Sequence, residues 1–372
     1  MTDDFVLPRY DAGALCNVLP SVAARLKGES PIIDVPRASK YVIVMIDGLG
    51  LDVMHQWGDH AERLLSLHEQ VLTCSVPSTT ACSLTSLGTG RPPGRHGVVG
   101  YTFYDPQVDA VVNALTWEHG QADVELFRQE PTIFQELAQR GTASAAVTLG
   151  RFDGSALTQL AFGGTALHPR PEDESDVDGT VALVEQALAS HDVVYCYQRL
   201  LDHAGHAAGP GSWQWLQELE TVDDLVAGVV SLADDDVCVL VTGDHGMITV
   251  PPHRRVVAEQ EPCLEGFHTI AGEGRFRQLY TDEPQRLADA WQEFLGERAH
   301  VVLREEAIAS GWFGSHVTPT TRERIGDVLV AMRDDWAVMS TRFPDEFSLV
   351  GMHGSLTHAE MVVPLLSRGG TR

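Results

Sequence analysis

The sequence predicts an α/β protein: a mostly parallel central sheet with helices on both faces, and a small α+β lobe inserted late in the chain. Three observations carry this. The runs Tyr41–Ile46, Val193–Tyr197 and Val237–Val241 are apolar throughout, and a strand that shows no polar alternation is one buried on both faces between helix layers. Stretches with helical spacing of apolar residues lie between these runs, which is the βα alternation of a doubly covered sheet. After Met247 the texture changes for about a hundred residues to shorter strand patterns and a helix. The expected division is 1–250 and 325–372 for the main domain, with 251–324 as the lobe.

The composition excludes several classes of function. A formal charge of -26, from 52 acidic and 26 basic residues, argues against a nucleic-acid-coating surface, because phosphate backbones would be repelled over most of it. An anionic substrate then needs local cations, either arginines or metal ions. Lys27 and Lys40 are the only lysines, and no GxxxxGK(S/T) occurs, so the inventory argues against Schiff-base and P-loop chemistry. Met1–Tyr10 holds two aspartates and no apolar run of the export type. The apolar stretches are strand length, too short for a membrane span. The expectation is a cytoplasmic protein with no membrane contact and an oligomeric state that remains open. The six cysteines form no CxxC pair and several sit in apolar runs, so they read as buried free thiols.

Along the chain, Asp11–Leu26 has helical spacing, and Tyr41–Ile46 ends in Asp47-Gly48. Leu51–Gln70 reads as an amphipathic helix. Asp47 therefore stands at the carboxyl end of a strand, as a ligand-binding or a helix-capping aspartate. Cys74–Gly97 (CSVPSTTACSLTSLGTGRPPGRHG) reads as a loop turning into a helix whose first turn presents Thr80 and unpaired backbone N–H groups, an arrangement suited to a phosphate. Thr80 is either a cap or a nucleophile. No GxSxG elbow is present, which removes the usual anchor of a serine hydrolase.

A helix around Pro131–Arg140, a strand at Ala143–Leu149 and a helix at Gly179–Ser190 follow, with His168–Asp178 as a solvated acidic loop. Val193–Tyr197 leads into QRLLDHAGHAAGP. There Asp202 and His206, four apart, share one face of a helical turn, with His203 as a rival. Ser212–Leu232 is helical. The next strand ends in Gly243 and then Asp244-His245, two residue types that both donate lone pairs to zinc.

In the lobe, Val256–Tyr280 and His300–Glu306 read as short strands around a helix at Pro284–Leu295. His253, Arg254, Arg255, Arg275 and Arg277 are basic residues that either touch a phosphate or balance surface charge. Ile325–Met332 and Trp336–Thr341 read as strands that lead back to the main sheet. In LVGMHGSLTHAEMVVPLL, His353 lies in a glycine-rich loop with His358 as its rival, and Glu360 begins a final strand.

Asp47, Asp202, Asp244 and Thr80 all follow predicted strands, hence one edge of one sheet. Asp202 and His206 with a third histidine make an open three-ligand site, and Asp47 with Asp244 and His245 makes a second. Two metals about 4 Å apart suit in-line displacement at phosphorus.

Five spaced motifs, IDGLG, PSTT…TGRPPGRHG, DHAGH, GDHGM and MHGS, resemble the alkaline phosphatase superfamily, in particular its type I phosphodiesterase/nucleotide pyrophosphatase branch. The resemblance covers about Tyr41 to Leu366. It implies an alkaline-phosphatase-like three-layer α/β/α sandwich and two divalent metal ions, zinc foremost. One would be held by Asp202, His206 and His353, the other by Asp47, Asp244 and His245, with Thr80 as nucleophile bridging toward it. The implied substrate is a small phosphodiester or nucleotide pyrophosphate, cleaved through a phosphothreonine. Ser83 stands where the eukaryotic nucleotide pyrophosphatases carry an asparagine that donates to the phosphoryl oxygen. Ala81 stands where alkaline phosphatases carry an arginine, which argues against specialised phosphomonoesterase activity. A phosphomonoesterase, a phosphoglycerate mutase-like phosphotransferase and a non-catalytic metal-binding protein are the alternatives. The mutase type wants a lysine near the metals, and both lysines precede the first motif.

Overall fold

The computed structural model describes residues 5–121 and 123–371; the first four residues of the opening segment read for an export signal lie outside them. The strands that matter are β1 (Lys40–Ile46), β2 (His68–Thr73), β3 (Ser144–Leu149), β4 (Ala166–Arg170), β5 (Val193–Gln198), β6 (Val237–Gly243), β7 (Thr269–Glu273), β8 (Phe276–Tyr280), β9 (Ala299–Leu303), β10 (Val328–Met332) and β11 (Val362–Arg368). The helices are α1 (Val18–Leu26), α2 (Thr80–Thr89), α3 (Val177–Leu188), α4 (Leu200–Ala208), α5 (Trp213–Val230) and α6 (Pro284–Leu295).

The central sheet has seven strands in the order β2-β11-β6-β1-β5-β3-β4. Pairing from β6 to β4 is parallel, and β11 runs antiparallel to both β6 and β2. The apolar runs divide their side chains between two cores. Tyr41, Ile43 and Met45 of β1 join the core beneath α1 and α2, while Val42, Val44 and Ile46 join the core beneath α3 and α5. Burial on both faces is why these strands lack alternation. Register then fixes the functional edge: Ile46 stands level with Gln198 and Gly243, so the residues that follow leave the sheet side by side.

A second, four-stranded antiparallel sheet has the order β7-β8-β10-β9. One face is covered by α6, where Trp291 packs on Leu279, Val328 and Val330. Phe276, Leu329 and Ala331 on the other face merge with the first core. The lobe is therefore welded to the main body.

Several expectations are corrected. The helix expected over Leu51–Gln70 breaks into short helices at Leu51–Gln56 and Glu62–Leu65, and His68–Gln70 already belongs to β2, an edge strand whose polar outer residues masked it. The lobe does not end at 324: β10 lies inside the lobe sheet, and Ala337–Met339 pairs with Arg255–Val257, so both return to the lobe and β11 alone rejoins the central sheet. Arg304–Glu306 turns into a helix, and Glu360 lies in the helical turn His358–Met361 ahead of β11. His168–Arg170 is strand, and the loop after it places Glu174 in the interior, bonded to Arg199 at 2.7 Å. Within the lobe, Arg275 and Arg277 are not surface groups. Arg275 forms a fully buried fork with Glu360 (3.0 and 2.7 Å), and Arg277 pairs with Glu346.

Removing one partner of such a buried pair strands the other charge. We expect Arg275→Met to lower unfolding free energy by about 3–5 kcal/mol, with much of the loss recovered when Glu360→Leu is added. Denaturant melts of the single and double variants check this.

Candidate active site

Each site residue is placed by a strand end and the turn that follows. Asp47 leaves β1 with its N–H bonded to the Gln198 carbonyl at 2.9 Å. Asp244 and His245 leave β6, and the Asp244 Oδ1 accepts from the N–H groups of Gly48 and His245, both at 3.0 Å. Two glycines permit this crowding. A Cβ on Gly243 would sit 2.1 Å from the Leu49 carbonyl oxygen, and one on Gly246 would sit 1.9 Å from that of Ala359. Asp202 and His206 share one face of α4, as the four-residue spacing requires. His353 arrives from the loop before β11, which is clamped to the loop ahead of α2: His353 Nδ1–H donates to the Ser78 carbonyl at 2.8 Å, and Gly354 N–H to Ser78 Oγ at 3.1 Å. Thr80 opens α2, one residue after the extended Thr79.

Two clusters result, Asp202–His206–His353 and Asp47–Asp244–His245, each with its ligand atoms within 4.8 Å of one another. Thr80 Oγ1 lies 3.2 Å from His245 Nε2 and 3.4 Å from Asp47 Oδ1. His203 is exposed, and His358 pairs with Asp52 at 2.9 Å, so neither rival enters a cluster.

The protonation pattern tests whether these residues fit cations. His206, His245 and His353 each give the Nδ1 proton to a backbone carbonyl: Gly351 at 2.9 Å, Gly246 at 3.0 Å and Ser78 at 2.8 Å. With Nδ1 so committed, Nε2 is the ring atom each histidine turns toward its cluster. His206 and His353 aim theirs at each other across 3.3 Å, an arrangement that repels unless a positive charge is shared. Asp202 Oδ1 and Asp244 Oδ2 are buried without a hydrogen-bond partner. Burial, then the neighbouring carboxylates Asp244 and Asp202, pushes the Asp47 carboxyl well above its usual range, and burial raises Asp244 as well. Burial, then the two other imidazoles, lowers His353 far below the ordinary histidine value. The donor set, nitrogen and carboxylate oxygen with three ligands per cluster, matches open divalent-metal sites.

Ser83 does not reach the site. It is fully buried beside the Cys74 thiol, whereas Leu84, the next residue of α2, lines the cavity. Sequence reading missed Tyr197, whose hydroxyl donates to Asp47 Oδ2, and Glu273 at the end of β7, 3.6 Å from His353 Nδ1. Tyr197 alternates with Tyr195 on one face of β5, a signal available in the run VVYCY. Burial raises Glu273 well above the usual carboxylate range. The sites open into a cavity of about 430 Å³ whose walls include Leu84, Phe152, Leu157, Phe162, Tyr195 and Tyr101.

His96 of the TGRPPGRHG motif is structural. Its Nδ1 accepts from Val98 N–H at 3.2 Å and its Nε2–H donates to Ser86 Oγ at 2.9 Å, and burial lowers its pKa to about 3. The unfolded histidine takes up a proton near pH 6.5 and the native one does not, so stability is complete above that value and falls as pH drops toward 3. Between about pH 7 and pH 5 the native protein should lose about 2 kcal/mol relative to His96→Gln, measured by denaturant unfolding of both.

The model of the type I phosphodiesterase / nucleotide pyrophosphatase family matches residues 41–356, most of the chain. The chain belongs to that family. Family membership makes it an enzyme of the phosphoester-hydrolase and transferase kind, and the superfamily generally uses divalent metals. Solved structures agree on the fold. Murine ectonucleotide pyrophosphatase/phosphodiesterase 5, an inactive variant in complex with AMP, superposes with a TM-score of 0.71 at 18% identity, over 89% of this chain and 88% of that one. Phosphonoacetate hydrolase from Sinorhizobium meliloti 1021 gives 0.66 at 19% identity over 90% and 91%. The fold is thus alkaline-phosphatase-like. Two curated relatives are GPI ethanolamine phosphate transferase 3 of Schizosaccharomyces pombe, 24% identical over 66% of this chain, and its Homo sapiens catalytic-subunit counterpart, 34% identical over 58%. The chain spans only 27% and 20% of their lengths. Among the described residues no helix is long and apolar enough to cross a membrane.

Proposed function

We propose that this family member is a two-metal hydrolase of small phosphodiesters or nucleotide pyrophosphates that works through a phosphothreonine at Thr80. The observation that carries the reading is Thr80 Oγ1 within 3.4 Å of both Asp47 and His245, two members of one of the paired ligand clusters. Asp202, His206 and His353 would hold one divalent cation, and Asp47, Asp244 and His245 the other, zinc being the first candidate. When bound, such cations supply Lewis-acid polarisation of phosphoryl oxygens and favour the deprotonated form of an attacking oxygen.

The chain's own residues do the rest. The Thr80 hydroxyl donates toward Asp47 Oδ1, which leaves an oxygen lone pair free for phosphorus. Tyr197 holds the other Asp47 oxygen in place. Attack forms the Thr80–O–P bond and breaks the P–O bond to the leaving alcohol or phosphate, which departs with the proton. Water then adds to phosphorus opposite Thr80, and the threonine hydroxyl is regenerated as the phosphate ester is released. The start of α2 directs its unpaired N–H groups toward the phosphoryl oxygens.

The test is turnover of bis(p-nitrophenyl) phosphate against p-nitrophenyl phosphate, combined with acid-quench mass spectrometry. A phosphorylated Thr80 peptide and faster diester cleavage are expected. Turnover with no trapped adduct on Thr80 would reject the covalent route, and a faster monoester would reject the diester assignment.

The names of the two curated relatives support a second reading, in which an alcohol replaces water in the second step. Added ethanolamine should then divert product from the free phosphate ester to a new diester, visible by phosphorus NMR.

A further inference from the structure

One arm of the cavity takes no part in the metal-site chemistry, and its floor is laid by β5 and β3. Tyr195 and Tyr197 share one face of β5, their rings 6.4 Å apart and within 14° of parallel, and both line the cavity. Tyr197 gives its hydroxyl to Asp47. Tyr195 gives its hydroxyl to nothing. The residue is 1% exposed, and the hydroxyl is buried without a hydrogen-bond partner. Phe162 stacks on its ring at 4.2 Å, so the hydroxyl is the part of Tyr195 left for a ligand. Ala146 of β3 stands level with Tyr195, and Thr148, two residues on and on the same face, lines the cavity too. Among the described residues the Thr148 hydroxyl takes no hydrogen bond either. Leu84, one turn along α2 from Thr80, adds a wall with Phe152, Leu157 and Phe162.

A hydroxyl taken out of water and left unpaired destabilises the native state. Phenylalanine would fill the same space without that cost, so packing does not account for the oxygen. A ligand that pairs with it does. Burial keeps the proton on this hydroxyl, well above the usual tyrosine value, so it is present as a donor as well as an acceptor. The aromatic walls suit a flat ring. Two uncharged hydroxyls suit a neutral oxygen on that ring, because a desolvated charge would find no counter-charge on Tyr195 or Thr148.

Building on the phosphodiesterase reading, we propose that this arm receives one ester group of the substrate, an uncharged aromatic ring that carries a hydroxyl or carbonyl oxygen, recognised by the Tyr195 hydroxyl with Thr148 beside it. Tyr195 is a specificity-determining residue that acts at a distance from the reacting phosphorus.

The test gives the metal-loaded full chain three methyl phosphate diesters whose second ester group is 2-cyclohexylethyl, 2-phenylethyl or 2-(4-hydroxyphenyl)ethyl, with products followed by phosphorus NMR. The three alcohols are of similar acidity, so rate differences report on the arm and not on bond breaking. The phenyl ester should exceed the cyclohexyl ester in kcat/KM, and the hydroxyphenyl ester should exceed the phenyl ester about tenfold. In Tyr195→Phe the latter ratio should fall to about twofold or less, while the melting temperature stays at or above the native value because no internal hydrogen bond is lost. Each ratio is internal to one protein, so a general change of activity does not affect it. A native hydroxyphenyl-to-phenyl ratio near one, a ratio unchanged in Tyr195→Phe, a cyclohexyl ester as good as the phenyl ester, or a melting temperature lowered in the variant would overturn the proposal. So would cleavage of bis(p-nitrophenyl) phosphate with none of the three esters accepted. Failure to cleave any diester would overturn the phosphodiesterase reading itself, and this proposal with it.

Discussion

Thr80→Ala should lower phosphodiester turnover by about 10³-fold or more while leaving the thermal melt nearly unchanged. The size follows from position. Among the described residues Thr80 is the one hydroxyl bonded to both Asp47 and His245, and the Thr79 hydroxyl beside it is engaged with Glu273. Ser78 Oγ donates to the Ser355 carbonyl at 2.6 Å, and Ser83 is buried beside Cys74. Thr80→Ser, which keeps the oxygen, should retain far more activity than the alanine variant. Near-native turnover by Thr80→Ala would remove the covalent mechanism.

Stripping metal should abolish turnover and also lower the melting temperature, with both restored by added zinc. The protein gathers Asp47, Asp202 and Asp244, with Asp202 Oδ1 and Asp244 Oδ2 buried and unpartnered, and the Nε2 atoms of His206 and His353 face each other at 3.3 Å. Such a centre is self-repelling until a cation occupies it. A ligand bound only by the native state at about 100 times its Kd contributes about 2.7 kcal/mol per site. Calorimetric scans with chelator, then with graded zinc, measure both effects. A melting temperature indifferent to metal would argue against occupation of these clusters.

Much of this was legible in the residues. The runs YVIVMI and VCVLV announce strands covered on both faces, and their terminal Asp47 and Asp244-His245 announce a common edge. The pairing register that levels Ile46 with Gly243 is what turns that edge into a site. Less was legible where long-range packing decides. The strand His68–Thr73 looks helical because only its last two residues are buried. Val328–Met332 could join either sheet on pattern alone, and only its partners in β8 and β9 settle the matter. The burial of Ser83 beside Cys74 was not legible, since it depends on the packing of α2 against the nearby loop. Glu273 carried no local signal, since its role depends on a sheet that comes back to His353 from the lobe. The lobe arginines read as surface charge, yet Arg275 and Arg277 are buried by acids 85 and 69 residues away in the chain.

The glycines at Gly243 and Gly246 have a consequence for how such a catalyst changes over time. Backbone meets backbone there, with no space for a single added methyl, so the loops that carry the reacting groups are frozen in composition. The wall side chains Tyr101, Phe152, Leu157, Glu273 and Asp345 come from other segments, although the backbone beside Glu273 is as tight, a Cβ on Gly272 lying 2.1 Å from the Phe276 carbonyl oxygen. Chemistry and taste are thus built from separable material, and new substrate preferences are reachable by altering the wall alone.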